Sequence, residues 1–259
     1  MNCLQRVLRF TLLSFLSSFA FAEGSVDQQI LQKVYDLSGL EKQFAYMGHT
    51  FTEEGLRMGR SELPDNEMSL QLLSRLEEGL TAKYAPARLR NTVQNVLARE
   101  LSDEYLDEII KVMGGDVWQK AVRLENRANN PDNLNDLENY VSVQLQKKLP
   151  RQVRLDLVRD LVQKTGAVDT TMNMMISGAL SAAEIMIGSE KIPAQFETSM
   201  RNQMSSMRAE YEEMVTRQFL FTYRFMSDEQ LQEYVSYYDT PAIQSLNKAI
   251  TASLVEAFK

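Results

Sequence analysis

Apolar residues recur at intervals of three and four along nearly the whole chain, with polar residues between them. This i, i+3, i+4, i+7 pattern is typical of amphipathic helices that share a core. Four of the six prolines and five of the eleven glycines fall outside the periodic segments. The pattern predicts an all-α, multi-helix bundle with helices near 26–38, 40–60, 66–82, 86–100, 102–113, 116–128, 133–148, 151–165, 167–188, 194–225, 227–238 and 241–258.

Strand-like alternation is confined to one segment, FLFTYRF at Phe219–Phe225. The preceding residues, MRAEYEEMVTRQ, contain no helix breaker. We therefore interpret the segment as the end of one long, buried helix.

Two segments of the chain are close copies in pattern, LSDEYLDEIIKVMGGD from Leu101 and MSDEQLQEYVSYYDTP from Met226. Ser102 and Ser227 stand where N-caps are expected, each between apolar residues at the spacing of a hydrophobic staple, and Gln230 completes a capping box in the second copy. Each cap precedes one apolar stripe at helical spacing: Leu106, Ile109, Ile110 and Met113 in the first copy, and Leu231, Tyr234, Val235 and Tyr238 in the second. The repeated motif predicts helix starts, not a catalytic site.

The similarity extends upstream to two glycines that follow a helical segment, Gly39 in DLSGLEK and Gly166 in QKTGAVD. Nearly the same number of residues separates each glycine from the N-cap serine that follows it. Two landmarks in the same order and at similar spacing predict an internal duplication. The expected organisation is an N-terminal helical repeat at 23–128, a linker and connecting helix at 129–150, and a C-terminal helical repeat at 151–259.

The order of these features resembles an exported bacterial all-helical family, domain of unknown function 2059. The best match is the C-terminal half, through MSDEQLQEYVSYYDTPAIQSL; the glycine that the family tends to have after the proline is missing here. The resemblance implies an all-helical periplasmic fold and implies no activity.

The first 22 residues, MNCLQRVLRFTLLSFLSSFAFA, have the pattern of a secretory signal peptide. Arg6 and Arg9 form a basic region, an apolar run follows, and Ala20 and Ala22 provide a cleavage site. Cys3 precedes the apolar run, so a mature chain cleaved there has no cysteine. We expect cleavage, a periplasmic location and a fold stabilised by its core without disulfides.

Charge argues against nucleic acid as a partner, and hydropathy argues against a membrane span. The full chain has a net charge of −7, and removal of Arg6 and Arg9 makes it more negative. Such a chain is poorly suited to binding nucleic acid through its overall charge. The best apolar run after the leader, Met174–Ile187, is short and contains Glu184, so we expect no integral membrane segment.

The sequence offers little catalytic chemistry. His49 is the only histidine, and neither a G-x-S-x-G serine motif nor a phosphate-binding glycine loop is present. We assign no catalytic residue, no cofactor and no metal. Carboxylate pairs leave open an alternative, a hydrolase of envelope polymers, but the 35 acidic residues give no reason to choose one pair.

More than half of the 14 methionines lie between Met172 and Met214. Thioethers suit Cu(I), which gives a second alternative, a Cu(I)-binding protein using Met172, Met174 and Met175 or Met200, Met204 and Met207. We favour a structural interpretation, because Met200, Met204, Met207, Tyr211 and Met214 form one stripe that would face a core.

Aromatic residues concentrate just after these methionines. Tyrosines with a buried ring and a hydroxyl that needs a partner suit an interface or a ligand cleft. We predict a non-enzymatic binding protein for an unknown protein or apolar ligand, with a homodimer also possible. The predicted face consists of Met207, Tyr211, Phe221, Tyr223, Tyr234, Tyr237 and Tyr238.

One basic segment, KKLPRQVRLDLVR, interrupts the acidic chain. It would bind an acidic partner or pair with acidic helix faces of its own fold, and we favour the second. Its basic residues are Lys147, Lys148, Arg151, Arg154 and Arg159.

Overall fold

A computed structural model describes residues 28–188 and 192–258, and these residues confirm the all-α fold. No strand occurs in these two ranges. The first unit contains α1 (Gln28–Ser38), α2 (Leu40–Glu62), α3 (Glu67–Lys83), α4 (Pro86–Glu100), α5 (Leu106–Met113) and α6 (Asp116–Ala128). The second contains α9 (Gln152–Thr165), α10 (Ala167–Ile187), α11 (Ala194–Ser206), α12 (Arg208–Thr222), α13 (Asp228–Tyr237) and α14 (Pro241–Ala257). The predicted signal peptide, 1–22, lies outside the described residues.

The connection between the units is itself helical. It consists of α7 (Leu134–Asn139), a π-helical segment (Tyr140–Gln144) and α8 (Leu145–Lys147). The helix predicted at 133–148 is therefore present, but its hydrogen bonding loosens for five residues in the middle.

The predicted helix starts are confirmed. The Ser227 hydroxyl accepts a hydrogen bond from the Gln230 backbone nitrogen at 3.2 Å, and the Gln230 side chain accepts one from Ser227, which completes the capping box. Ser102 caps a short 3₁₀ turn, Asp103–Tyr105, that leads into α5. The apolar residues that flank both caps are buried: Leu101, Leu106, Met226 and Leu231.

Both landmark glycines adopt the left-handed conformation. Gly39 has φ 69° between α1 and α2, and Gly166 has φ 64° between α9 and α10. Only glycine adopts this region without a steric cost, so each residue turns the chain sharply from one helix into the next.

The long helix predicted at 194–225 is two helices, because the chain breaks at Met207 between α11 and α12. The Ser206 hydroxyl donates to the Gln203 carbonyl at 2.7 Å, and the Met207 nitrogen bonds three residues back to Met204. Serine competes in this way with the i to i−4 pattern of a helix. The aromatic segment at Phe219–Phe225 is helical only as far as Thr222.

The last helix of each unit packs on helices of the other unit. Within the units, α1 packs on α2, α4 and α5, and α9 packs on α10, α12 and α13 in the same order. However, α6 of the first unit lies on α12 and α13, and α14 of the second unit lies on α4 and α5. The core is therefore continuous across both units. The order of helices agrees with the predicted duplication, which stays a prediction.

None of the helices in the described ranges combines the length and the apolar character that crossing a membrane requires.

The basic segment pairs with the repeated SDE motif. Arg154 donates to the Asp228 carboxylate at 2.7 Å and to the backbone carbonyls of Tyr223 and Met226 at 3.1 and 2.6 Å. Arg151 also pairs with Asp228. The interpretation of this segment as complementary to its own fold is confirmed for these two arginines, while Lys147, Lys148 and Arg159 are exposed.

We expect Asp228→Ala to lower the free energy of unfolding by about 2 kcal/mol. The side chains of Arg154 and Asp228 are only 16% and 13% exposed, so the change leaves a largely buried guanidinium without its counter-ion. Urea denaturation measures the loss. Asp239→Ala is the control, because Asp239 pairs with Lys164 but is 62% exposed, and we expect a loss below about 1 kcal/mol. Equal losses would contradict the prediction.

Candidate functional site

The seven residues of the predicted face lie in three places. Met207 and Tyr211 are half-buried where α11 meets α12, and the Tyr211 hydroxyl lies 3.5 Å from the Met204 sulfur. Phe221 is buried, its ring centroid is 5.6 Å from that of Tyr140, and the Arg224 guanidinium lies 3.7 Å from the same centroid. The other four, Tyr223, Tyr234, Tyr237 and Tyr238, surround a side chain of the first unit, Trp118 or Glu125.

Glu125 of α6 is the centre of this third group. One of its carboxylate oxygens accepts hydrogen bonds from the hydroxyls of Tyr223 at 2.7 Å and Tyr234 at 2.9 Å, and the other accepts from the Gln43 amide at 3.2 Å. The Tyr238 hydroxyl lies 3.2 Å from that of Tyr234 and extends the network by one member. The carboxyl group thus joins α6, α2 and the segment from the end of α12 through α13. We call Glu125, Tyr223, Tyr234 and Tyr238 the Glu125 cluster.

Trp118, about two turns before Glu125 on α6, provides the aromatic wall of the cluster. Its ring meets Tyr234 edge to face at 5.4 Å and stacks with Tyr238 at 6.2 Å between centroids. Tyr237 lies 6.3 Å away and bonds outward to Glu233. Edge-to-face and offset arrangements of this kind are favourable for aromatic rings, so Trp118 holds the tyrosines in fixed positions.

Burial determines the protonation of this cluster. It raises the pKa of Glu125 above its ordinary value, although the hydrogen bonds from Tyr223, Tyr234 and Gln43 act in the opposite direction. Burial, and then the nearby Glu125 carboxylate, raise the pKa of Tyr223 and of Tyr234 well above 10. Burial and the hydrogen bond to Glu233 raise the pKa of Tyr237 to about 12. The tyrosines are therefore donors throughout the neutral pH range, and Glu125 is the group that can titrate.

Sequence reasoning missed Glu125, Gln43 and Trp118. The signal that could have found Glu125 is the comparison of the two copies, since an ungapped match of Leu101–Glu125 to Met226–Ile250 pairs Glu125 with Ile250. A carboxylate at a position that is apolar in the other copy marks a polar site in an otherwise apolar interface.

The methionines are spread over different surroundings. Met172 and Met174 are buried, whereas Met175 is exposed, as neighbouring residues project in different directions from a helix. Of the predicted core stripe, Met214 is 45% exposed and the other four members are only half-buried. Met204 and Tyr211 of that stripe pack against the edge of the core, whereas Met214 does not, so the stripe faces the core only in part. The Cu(I) alternative stays a prediction.

Other polar features give no further site. His49 is exposed on α2. No group of three or more His, Cys, Asp and Glu side chains that could hold a metal occurs in the parts of the chain that the structure describes. A shallow groove of about 600 Å³ lies between the α9–α10 corner and α14, but the Asn247 amide and Lys164 that line it are engaged in hydrogen bonds within the fold.

The longest of the described α-helices that bury no residue is α11; the others are the short α7 and α8. No residue of α11 is buried, although Phe196, Met200 and Met204 recur every four residues along it. Phe196 is 44% exposed, and the two methionines are half-buried. Among the described helices, its main neighbours are α10 and α12. We call Phe196, Met200, Met204, Met207 and Tyr211 the α11 surface.

A comparison of the chain with protein-family models, curated proteins and solved structures finds no match. The resemblance to domain of unknown function 2059 stays a prediction that these comparisons do not test.

Proposed function

We propose that this chain is an exported, non-enzymatic binding protein of the periplasm, and that the α11 surface receives its partner. Export and location rest on the signal-peptide pattern of residues 1–22. Two residues of the face predicted from the sequence, Met207 and Tyr211, belong to the α11 surface. The other five residues of that face lie elsewhere in the fold and are not part of this proposal.

The observation that carries this proposal is the absence of any buried residue from a 13-residue helix that bears an apolar stripe. The helix at the same place in the first unit, α3, is packed between α2 and α10 and buries Leu76 and Leu80. By comparison, α11 contacts α10 and α12 but buries no residue against them. A helix whose apolar stripe is only partly covered is typical of an interaction surface.

The composition of the surface favours a protein segment as the partner. Methionine side chains are flexible and polarizable, and they adapt to the shape of an apolar partner. Phe196 and Tyr211 add aromatic anchors of the kind that dominate binding energy at protein interfaces. Charged residues flank the stripe on α11, among them Glu197 and Arg201, which pair with each other and would form the rim of an interface.

Site-specific photo-crosslinking tests the proposal. We expect a benzophenone amino acid in place of Phe196 or Met204 to give one discrete crosslinked product in cells that express the full chain. The same probe in place of Lys42, an exposed residue of α2, is the matched control and should give none.

The mass of the product distinguishes the possible partners. A product of twice the mass of the chain would identify the predicted homodimer, and a different discrete mass would identify another protein. A result in which positions 196 and 204 give no more product than position 42 would overturn the proposal.

A further inference from the structure

The Glu125 cluster joins the two units through a carboxyl group. Glu125 belongs to α6 of the first unit, while the hydroxyls that it accepts come from Tyr223 and Tyr234, 98 and 109 residues further along the chain. The contact of α6 with α12 and α13 is one of the two places where a unit packs its last helix on the other unit. Glu125 is thus positioned where a change of charge acts on the contact between the units.

The other exchanged contact has no carboxyl group at the position that corresponds to Glu125. In the ungapped match of the two copies, the positions of Trp118, Glu125, Tyr234 and Tyr238 correspond to Ile243, Ile250, Ile109 and Met113. These four residues lie where α14 packs on α4 and α5, and three of them are fully buried. Arg99 of α4 does pair with Glu256, and Arg88 donates to the Ala257 carbonyl, but both lie elsewhere in this contact. At the four matched positions the helices pack with apolar side chains, so packing alone does not account for the carboxyl group of Glu125.

Glu125 has no cationic partner in the described part of the chain. Every charged side chain on α2, α5 and α12, three of the helices packed against α6, is exposed. On α13, Asp228 pairs with Arg151 and Arg154, while Glu229 and Glu233 are exposed. On α6 itself, Lys120 bonds to the Gln230 amide, and Asp116, Arg123 and Arg127 are exposed. Beyond α12, Arg224 lies over the rings of Phe221 and Phe225. The groups that face the carboxyl are the hydroxyls of Tyr223, Tyr234 and Tyr238 and the neutral Gln43 amide.

We propose that Glu125 is a proton-dependent latch between the two units: the protonated carboxyl group holds α6 on α12 and α13, and its ionisation loosens this contact. A neutral carboxyl group accepts the tyrosine hydroxyls through one oxygen, and the proton on its other oxygen is donated to the Gln43 amide oxygen once that amide turns over. An ionised one keeps the three donated hydrogen bonds, but it places a charge in a half-buried aromatic site without a counter-ion, which desolvation disfavours.

The direction of the pH effect follows from the raised pKa of Glu125. Between the ordinary pKa of a glutamate and the raised pKa in the folded state, the native protein binds more protons than the unfolded chain. Stability therefore falls as pH rises through this interval. The contribution of the latch is full at low pH and is lost once the folded-state carboxyl ionises.

The first test compares the full chain with Glu125→Gln between pH 4 and pH 9. The glutamine side chain of this variant is neutral at every pH and keeps an oxygen that accepts the tyrosine hydroxyls. Trp118 is the only tryptophan of the chain and stacks on the cluster, so its fluorescence reports the state of the contact. We expect the wild-type protein alone to show a titration of this fluorescence and an additional fall of the melting temperature of roughly 2–4 °C. Identical pH profiles of the two proteins would overturn the proposal.

A second test needs no variant and uses an internal control. Hydrogen exchange of the wild-type protein, corrected for the intrinsic pH dependence of exchange, is compared at the two ends of the fluorescence titration. We expect protection of α6 and α13 to fall as pH rises, while protection of α4 and α14, which form the apolar counterpart contact, is unchanged. Equal changes in both contacts, or no change in either, would contradict the latch even if the variant failed to fold.

Discussion

Phe258→Ala is expected to lower the free energy of unfolding by about 3–5 kcal/mol. Phe258 follows α14 and is fully buried, with its ring centroid 4.8 Å from that of Phe51 on α2 and 5.2 Å from that of Tyr84 at the end of α3. Removal of the ring leaves a cavity among side chains that belong to the other unit. The loss is therefore expected to destabilise both units together.

Chemical denaturation measures this effect with two probes, far-ultraviolet circular dichroism for all helices and the fluorescence of Trp118 for the distant α6 contact. We expect the two transitions to coincide and to shift together in Phe258→Ala. Phe225→Ala is the matched control, because Phe225 is 52% exposed, and we expect a loss below about 1 kcal/mol. Separate transitions, with the Trp118 signal unaffected by Phe258→Ala, would show that the exchanged helices do not couple the units.

Gly39→Ala is expected to lower the free energy of unfolding by about 3–4 kcal/mol, the sum of two effects. The first is conformational, since φ at Gly39 is 69° and a side chain is unfavourable there. The second is steric, since an added Cβ would lie 2.5 Å from the Val122 Cγ1 and 2.9 Å from the Asn126 amide nitrogen on α6. Either α6 or the α1–α2 corner has to move to accept the methyl group.

Gly166→Ala separates these two effects. Gly166 has φ 64° at the matching corner of the second unit, but an added Cβ would meet no atom within 4 Å. We expect Gly166→Ala to lower the free energy of unfolding by the conformational contribution alone, about 1–2 kcal/mol. Urea denaturation of both variants gives the difference, which measures how tightly the α1–α2 corner packs on α6. Equal losses from the two variants would show that the α1–α2 corner or α6 moves to accept the methyl group without a cost in free energy.

The two proposals for function can succeed or fail separately. The α11 surface ends at Tyr211, in the first turn of α12. The tyrosines of the Glu125 cluster begin beyond the end of that helix, at Tyr223, and Glu125 itself belongs to α6. Crosslinking at position 204 tests the surface and is independent of the protonation of Glu125. The pH experiments test the latch and need no partner protein.

Local sequence determined the helices of this protein. The capping box at Ser227 and Gln230, and the glycine turns at Gly39 and Gly166, involve residues within a few positions of each other, so their pattern alone located the ends of helices. The periodic apolar positions gave the fold class for the same reason. The break at Met207 was not predicted because a serine in an apolar-periodic segment is compatible with either a continuous or an interrupted helix.

Tertiary structure alone decided which of these residues meet. The predicted face grouped seven residues by proximity in sequence, yet α12 and α13 direct them towards different neighbours. Tyr211 meets Met204, Phe221 meets Tyr140, and Tyr223 and Tyr234 meet Glu125. Glu125 could not be selected from 35 acidic residues, because its distinctive environment comes from segments that are distant along the chain. Burial and the absence of a counter-ion are properties of that packing, and no local pattern encodes them.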